Sequence, residues 1–332
     1  MMEVPVWIWI ATVAGVIAII TFDFFAHVRR PHEPSIKEAG AWTAFFITLS
    51  VLFGIGLTWV WGSKHGIEFF AGYITEYSLS IDNLFVFVII MSSFDVPRQY
   101  QQKVLLVGVI IALILRTIFI LLGAAAINHF SWVFYIFGLF LVATAFKLAF
   151  ESHDDDEAYE PNILVRGAQK LLPATHQYDG ASLITTINGK RYMTPMMMVM
   201  IAIGMTDILF ALDSIPAIYG LTNVPYIVFT ANAFALMGLI ELYFLLGGLL
   251  KKLVYLSFGL ALVLGFIGLK LIFHAMHGNE LGWINGGEPI HWAPEIPTWL
   301  SLLVIIGILL ITTVASLIKS RGQAANGGRS SA

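Results

Sequence analysis

The sequence predicts an all-α integral membrane protein with about nine transmembrane helices. Of the 332 residues, 58% are hydrophobic and only 12% are charged, whereas about 25% of a soluble protein is charged. Apolar segments of about 20 residues, the length that crosses the hydrocarbon core, recur along the chain. The alternating segments of about ten residues that mark a membrane β-barrel are not found. We therefore expect one polytopic membrane domain over residues 1–320.

Nine apolar segments are long enough to span the membrane. The first has no basic residues before it and is followed by Arg29 and Arg30, so we expect a retained helix rather than a cleaved signal peptide. The segments are Val4–Phe25, Ala41–Trp61, Ile67–Met91, Lys103–Ile127, Trp132–Phe150, Thr194–Ile215, Pro225–Leu250, Leu253–Ala275 and Thr298–Ile318.

The distribution of basic residues predicts the orientation of these helices. If the N-terminus is outside, 14 of the 18 Lys and Arg residues fall in or beside the inner loops, and the outer loops hold only Lys64. Arg116, Lys147 and Lys270 lie within helices. Basic residues accumulate on the cytoplasmic side of membrane proteins. The predicted topology is therefore N-out and C-in.

One substantial polar loop, residues 151–193, divides the helices into an early and a late half on the cytoplasmic side. Within it, Ser182–Ile187 and Lys190–Met193 flank Asn188 and Gly189, a pattern that predicts a β-hairpin with a type I′ turn. The outer stretch Met276–Pro297 is rich in Gly, Pro and Trp, so it is expected to be a structured loop.

The C-terminal tail, residues 321–332, is rich in Gly, Ala and Ser. This composition predicts disorder.

A short acidic motif occurs twice, in two separate apolar segments. The first copy is Thr75-Glu76-x5-Asp82-Asn83 and the second is Thr206-Asp207-x5-Asp213-Ser214. A carboxylate at the centre of a membrane helix costs about 2.5 kcal/mol or more. Four acids in two matching pairs, with few basic residues in the helices to neutralise them, predict a cation site.

The repetition extends beyond the motif to three helices in each half. Repeat one covers about 67–150 and repeat two covers about 194–275. The predicted topology runs the Asp82 helix inwards and the Asp213 helix outwards. This is an inverted-topology repeat, which recurs in secondary transporters with the substrate site near the midplane.

The spacing within each motif leaves two arrangements open. Glu76 and Asp82 are six residues apart, about 240° around a regular helix, so they would not share a face. Glu76 would share a face with Asn83, and Asp207 with Ser214. Either each helix shows two polar faces, or it unwinds between the acids and frees backbone carbonyls. Pro216 favours a break in the second copy.

The predicted ligands are carboxylate, amide and hydroxyl oxygens, which suit Mn²⁺, Mg²⁺ and Ca²⁺. The chain has no cysteine, which excludes thiolate sites and disulfides. No other cofactor is expected. The predicted metal ligands are Glu76, Asp82, Asn83, Asp207, Asp213 and Ser214.

Five further residues are predicted to support the site. Thr75 and Thr206 would add neutral oxygens, and Asn232 is a further candidate oxygen ligand. Arg116 and Glu241 occupy matching repeat positions with opposite charge. They are expected either to form an ion pair that holds the halves in register, or to let Arg116 neutralise the acids when no cation is bound.

At these motifs the chain resembles the TerC family of bacterial membrane proteins. The resemblance rests on the segments 76–87 and 207–217, on Asn188-Gly189-Lys190-Arg191-Tyr192, and on the nine-helix layout. It implies a multi-pass protein of the bacterial cytoplasmic membrane with the acids Glu76, Asp82, Asp207 and Asp213 at its centre. It also implies a link to Mn²⁺ export and tellurium resistance.

The predicted function is export of a divalent cation, with Mn²⁺ favoured, Ca²⁺ or Mg²⁺ as alternatives, and protons as the counter-ion. The alternative is a metal-sensing membrane adaptor that recruits stress or secretion proteins through the loop 151–193. An intramembrane aspartyl protease is a weaker idea, because no Gly-x-Gly-Asp signature occurs. We expect no enzymatic activity and no nucleic-acid partner.

Overall fold

The computed structural model describes residues 4–25, 34–130, 132–150, 175, 178–187, 189–246 and 255–327. Within these ranges the chain forms ten α-helices and one β-hairpin. The helices are α1 Val6–Asp23, α2 Ile36–Trp61, α3 Ser63–Ser93, α4 Arg98–His129, α5 Val133–Phe150, α6 Pro195–Tyr219, α7 Pro225–Met237, α8 Leu239–Leu246, α9 Leu256–His277 and α10 Thr298–Gly327.

Nine spans among the described residues are long and apolar enough to cross a membrane, with α7 and α8 counted together as Pro225–Leu245. This confirms the predicted fold class. Large apolar side chains remain on the outside of the bundle, including Trp59 at 93% exposure and Val6 at 73%. Such a surface is stable against lipid rather than water.

Local sequence signals set several helix ends. Ser35 caps α2, because its hydroxyl accepts a hydrogen bond from the Glu38 amide at 3.2 Å. Thr194 caps α6 in the same way and is followed by Pro195, whose ring suits the first helical position. Gly62 separates α2 from α3 with a φ of +92°, a conformation that a side chain would oppose.

The packing places α7 at the centre of the bundle, where every residue from Tyr226 to Met237 is buried. Helix α3 packs on α7, α4 packs on α6, and α5 packs on α9. Three helices lie around this group. Helix α1 packs against α7, α2 packs against α3 and α8, and α10 packs against α9 and α3. The two motif helices, α3 and α6, are therefore held together inside the protein.

The contact between α5 and α9 depends on two glycines. A Cβ atom at Gly138 would lie 2.7 Å from the carbonyl oxygen of Gly268, and one at Gly268 would lie 2.9 Å from that of Gly138. Small residues at a crossing let two membrane helices approach backbone to backbone. The helices that end the two proposed repeats are therefore joined without intervening side chains.

The predicted hairpin is present as β1, Ile184–Ile187, and β2, Lys190–Met193, which pair antiparallel. Gly189 has a φ of +77°, as the predicted turn requires, and Asn188 lies outside the described residues. Lys103 donates to the carbonyl of Ala181 at 3.0 Å, which ties the start of the hairpin to α4.

Two segment predictions need correction. The seventh segment is not one helix, because the chain turns at Gly238 between α7 and α8. Helix α10 continues to Gly327, so the predicted disordered tail is helical as far as that residue, and residues 328–332 lie outside the description. Ala, Arg and Gln favour helix, and extending an existing helix is easier than starting one.

The stretch Met276–Pro297 is a structured loop beyond His277, where α9 ends. The Asn279 amide donates to the carbonyls of Ile284 and Glu288 at 2.7 and 3.1 Å, and Ile290 returns to bond the carbonyl of Met276 at 2.9 Å. These bonds satisfy backbone groups that a loop would otherwise leave without partners.

Candidate metal site

Arg116 joins the two acidic motifs. Its guanidinium donates two hydrogen bonds to the Asp207 carboxylate, from Nε at 3.1 Å and from Nη2 at 3.0 Å. Nη1 forms an ion pair with the Glu76 carboxylate. All three side chains are buried, with exposures of 0 to 2%. Because a bidentate pair fixes both distance and plane, one acid from each motif is held at a defined position.

Ser214 completes this cluster, which we call the Arg116 site: Glu76, Arg116, Asp207 and Ser214. The buried Ser214 hydroxyl accepts a bond from Arg116 Nη1 at 3.4 Å. Asp207 and Ser214 are seven residues apart, so they share one face of α6, as the sequence predicted. The site therefore combines two carboxylates and one hydroxyl around a single cation.

Asp213 lies on a different face of α6. Its carboxylate is only partly buried and accepts a hydrogen bond from the Thr144 hydroxyl of α5 at 3.0 Å. Thr206 is also away from the Arg116 site, and its hydroxyl donates to the Ala202 carbonyl of its own helix at 2.8 Å. Helix α6 thus shows one polar face to Arg116 and another to α5.

The hypothesis that the motif helices unwind between their acids is wrong. Helix α3 runs without a break through Glu76, and α6 runs without a break through Pro216. Pro216 lies inside α6, three residues before its end, and α6 continues to Tyr219 although the proline supplies no amide hydrogen bond.

The expected ion pair between Arg116 and Glu241 is also absent from the described residues. Arg116 is occupied by Glu76, Asp207 and Ser214, while Glu241 is buried in α8 and lies near Asp23 of α1. Two nearby acids attract Arg116 more strongly than one distant acid does, and matching repeat positions do not require contact. The other expectation for Arg116, that it neutralises the motif acids, fits this geometry.

Several buried oxygens near the motifs have no hydrogen-bond partner among the described residues. They include Thr75 Oγ1, the second carboxylate oxygen of Glu76, and Oδ1 of Asn232. The Asn232 nitrogen Nδ2 also has no hydrogen-bond partner among these residues. Thr75 and Asn232 lie on α3 and α7, which pack together. Buried polar atoms are normally satisfied, so these atoms mark a place where a ligand is expected.

The remaining predicted residues add less. Asn83 is buried in α3, whereas the side chain of Asp82 lies outside the description. Within the described residues, no three His, Cys, Asp or Glu side chains form a ready metal cluster. Sequence reasoning did not identify Thr144 or Asp23. Asp23 could have been found, because it is an acid inside the first apolar segment.

A cavity of about 650 Å³ opens at the end of the bundle where α3 begins and α6 ends. We call it the Tyr219 cavity. It contains the buried Glu68, which accepts hydrogen bonds from Thr222 at 2.9 Å and pairs with His65 at 3.0 Å. Tyr219 lies five residues beyond Ser214 on α6, about 7.5 Å along the axis, and donates to the carbonyl of Ile120 at 2.6 Å. The cavity therefore approaches the Arg116 site from the predicted outer side.

Comparison with known proteins gives relatives that are membrane proteins. The chain is 49% identical over 323 residues to an uncharacterised membrane protein of Mycobacterium tuberculosis, covering 96% of this chain and 81% of the relative. It is 40% identical to an uncharacterised membrane protein of Myxococcus xanthus, covering 95% and 93% of the two chains. It is 37% identical to Alx of Escherichia coli, whose name proposes a membrane-bound redox modulator, covering 91% of each.

No solved structure matches the chain. The family model described as integral membrane protein TerC family matches residues 61–324, which include both acidic motifs and all but the first two helices. The chain therefore belongs to the TerC family of integral membrane proteins.

Proposed function

We propose that this protein exports a divalent cation, Mn²⁺ in preference to Ca²⁺ or Mg²⁺, across the bacterial cytoplasmic membrane in exchange for protons. The observation that carries the proposal is the convergence of Glu76 and Asp207, one from each motif, on Arg116. Carboxylates buried at this depth are expensive unless they bind cations. Their oxygens suit all three ions, and the family resemblance favours Mn²⁺.

Arg116 acts in this proposal as a tethered substitute for the transported ion. Two carboxylates and one guanidinium give the buried cluster a charge of −2 + 1 = −1, and a divalent ion in place of the guanidinium gives −2 + 2 = 0. A metal ion that displaces Arg116 therefore removes a buried net charge. The second oxygen of Glu76, the hydroxyl of Thr75 and the amide of Asn232 are available as further ligands.

Return of Arg116 to the carboxylates would release the ion. Because the guanidinium is tethered to the chain, it stays beside the carboxylates and competes with the metal for the same oxygens. The exchange leaves the acids paired in both states and avoids an empty, doubly negative site in the membrane.

The helix packing supports alternating access. The contacts of α3 with α7 and of α4 with α6 would be related by the proposed pseudo-two-fold axis, and α5 would meet its counterpart α9. Motion of one repeat against the other would open the Arg116 site alternately to the Tyr219 cavity and to the inner side.

Export requires an energy source. Moving two positive charges out against an inside-negative potential costs about 4.6 kcal/mol per 100 mV. Exchange for protons meets this cost, since each proton that enters moves one positive charge inwards and recovers about 2.3 kcal/mol per 100 mV. We propose no enzymatic step, in keeping with the sequence prediction.

The test is Mn²⁺ flux in proteoliposomes that hold a proton gradient, with Mg²⁺, Ca²⁺ and Zn²⁺ as competitors. Asp207→Asn and Asp82→Asn should each lose transport, while the control Glu295→Gln, whose side chain is 83% exposed, should keep it. Flux at the wild-type level from a folded Asp207→Asn protein would contradict the proposal.

The adaptor is the second candidate, and one observation favours it. The hairpin is tied to the membrane helices by Lys103, yet it exposes the apolar residues Leu183, Ile184 and Ile187 at 37 to 45%. Exposed apolar residues at a fixed position can bind a protein partner. A redox function of the kind that the name Alx proposes would have to act without thiols, because the chain has no cysteine.

Replacing these three residues by serine separates the two candidates, because the hairpin backbone and the buried acids are kept. An exporter retains Mn²⁺ flux and metal tolerance in cells. An adaptor loses its cellular phenotype although the purified protein is unchanged in stability.

A further inference from the structure

The Tyr219 cavity is lined by more positive than negative charge. Lys64 of α3 and Lys270 of α9 both lie on its wall, and Glu68 is the only acid among the lining residues that the structure describes. Two positive charges against one negative charge leave a net charge of +1 when the two lining histidines are neutral, and protonation of either histidine adds to it. A cavity of one sign attracts ligands of the opposite sign.

Lys270 is a cation inside a membrane helix. It lies seven residues before α9 ends at His277, about 10.5 Å from that end along the axis. Its ammonium group donates a hydrogen bond to the Ser301 hydroxyl at 3.0 Å and forms no ion pair with the residues that the structure describes. Ionisable residues within membrane spans usually pair with another group or line a path for a ligand. An anion in the cavity would supply the missing partner.

The acid of the cavity is engaged by other groups. The Thr222 hydroxyl donates to Glu68 Oε2 at 2.9 Å, and His65 Nδ1 lies 3.0 Å from the same oxygen. Glu68 is near enough to Lys270 to interact with its charge, yet the two side chains do not form an ion pair. One carboxylate therefore cannot compensate both lysines of the wall.

The backbone of the cavity wall adds to its preference for anions. Helix α7 begins there at Pro225, and no side chain caps its first turn. The end of α6 contributes less negative character, because the amides of Gly220, Leu221 and Thr222 bond back to carbonyls of that helix at 2.8 to 3.0 Å. The first turn of a helix and lysine ammonium groups are both donors that bind phosphate in proteins.

The size and donors of the cavity select the class of ligand. Its volume of about 650 Å³ lies within the range of small-molecule pockets. Protonated lysines donate hydrogen bonds but cannot ligate a metal ion. In the described part of the chain, no three His, Cys, Asp or Glu side chains form a cluster that would hold a metal. The cavity therefore suits a small anion with several acceptor oxygens.

We propose that the Tyr219 cavity binds a small oxyanion of the phosphate and sulfate class, with Lys270 and Lys64 as its charged donors. A dissolved anion and the phosphate of a lipid headgroup offer the same chemistry. As an anion site, the cavity does not depend on the proposed function. Its second role rests on that function: a bound anion would offset the positive charge on the route by which the exported cation leaves.

Isothermal titration calorimetry of the purified full-length protein with sodium sulfate, in an uncharged detergent without phosphate, tests the site. We expect one sulfate ion per chain. Lys270→Gln should weaken binding about 10-fold, because a hydrogen bond to a charged group is lost. Lys64→Gln, at an exposed position, should weaken it about 3-fold. The matched control Lys190→Gln removes the same charge from the exposed hairpin and should leave binding unchanged.

Glu68→Gln gives a prediction of the opposite sign. The amide keeps an oxygen that can accept the Thr222 hydrogen bond but removes the negative charge, so sulfate should bind more tightly. A purely structural role for Glu68 does not predict this gain. Size-exclusion chromatography checks that each variant is folded, and the exposed Lys64 position keeps the test valid if Lys270→Gln does not fold.

Three calorimetric results would overturn the inference. One is a wild-type protein that binds neither sulfate nor phosphate with a dissociation constant below about 1 mM. The second is equal affinity in the wild type and in the folded lysine variants. The third is weaker binding by a folded Glu68→Gln protein.

The choice of membrane environment distinguishes the two sources of the anion. Phosphatidylcholine nanodiscs carry headgroup phosphates but no net surface charge. Sulfate affinity that falls on transfer from detergent to these nanodiscs assigns the cavity to a lipid headgroup. Sulfate affinity that is unchanged assigns it to a dissolved anion.

A transport measurement tests the role in release separately. Sodium sulfate in place of sodium chloride, at equal ionic strength on the side of the cavity, should speed Mn²⁺ export by the wild type, and Lys270→Gln should lose this stimulation. Export that sulfate does not change would overturn the role in release. Absence of Mn²⁺ flux from the wild type would overturn the proposed function, while calorimetry would still decide whether the cavity binds an oxyanion.

Discussion

Replacement of Arg116 by methionine removes the positive charge from between Glu76 and Asp207 and keeps much of the side-chain volume. The wild-type guanidinium makes two bonds to Asp207, at 3.0 and 3.1 Å, and an ion pair with Glu76. Removing one partner of a buried ion pair costs about 3–5 kcal/mol. Because the acids can take up protons in response, we expect the lower end, about 3 kcal/mol of unfolding free energy.

The assay is reversible unfolding of the purified protein in mixed micelles, with metal removed by a chelator and then restored. The matched control is Lys319→Met, which removes an exposed cation near the end of α10. That cation lies 4.8 Å from the centre of the Tyr255 ring, and the cost should stay within about 1 kcal/mol.

Mn²⁺ should restore Arg116→Met more than it stabilises the wild type, because the ion no longer has to displace a guanidinium. At 100 times the dissociation constant, bound metal adds about 2.7 kcal/mol. A metal-free variant within about 1 kcal/mol of the wild type would refute the idea that Arg116 compensates the two acids. A destabilised variant that gains nothing from any divalent ion would refute its role as a substitute for the metal.

Three further predictions concern other parts of the molecule. Thr144→Val should weaken Mn²⁺ transport about 10-fold in apparent affinity, because Asp213 loses the donor that orients it; unchanged concentration dependence of flux would contradict this. Gly268→Val should reduce the yield of folded protein in size-exclusion chromatography, since a Cβ atom there would lie 2.9 Å from a carbonyl oxygen of α5. The control Gly307→Val should not reduce the yield, because that glycine has open space around it. Burial raises the pKa of Tyr178 to about 12, and the charge of Asp95 adds to the rise. The tyrosine of the unfolded chain ionises at a lower pH than that of the folded protein. Its contribution to the attachment of the hairpin should therefore be complete below about pH 10 and be lost as the pH rises towards 12. Hydrogen exchange of the hairpin amides measures this, and Tyr178→Phe, which loses a 2.7 Å bond to the Phe94 carbonyl, should be weaker by about 1 kcal/mol at every pH.

The membrane helices could be predicted closely because each is encoded locally. A span requires a continuous apolar segment of a certain length, so the second segment, predicted to end at Trp61, ends there. The predicted starts were less accurate, and α3 begins at Ser63 rather than Ile67. Polar residues at a membrane surface can extend a helix, and hydropathy alone does not detect that extension.

The partners of the buried polar residues could not be predicted in the same way. Arg116 and Glu241 look like an ion pair in the sequence because they match by repeat and by charge. In the structure Arg116 pairs with Asp207, whereas Glu241 lies near Asp23. Pairing in a bundle depends on which helices touch and how each is rotated, and neither is set by local sequence.

The sequence by itself determined that this protein crosses the membrane repeatedly, that two acidic motifs lie within the membrane, and that thiol chemistry is excluded. Those properties follow from composition and spacing, since lipid accepts only long apolar helices and rarely tolerates an acid. Only the tertiary structure decided that Glu76 and Asp207 share Arg116 while Asp213 turns to Thr144. The low dielectric of the interior makes each buried charge find a compensating partner, and the packing of α3, α4, α5 and α6 determines which partners are within reach.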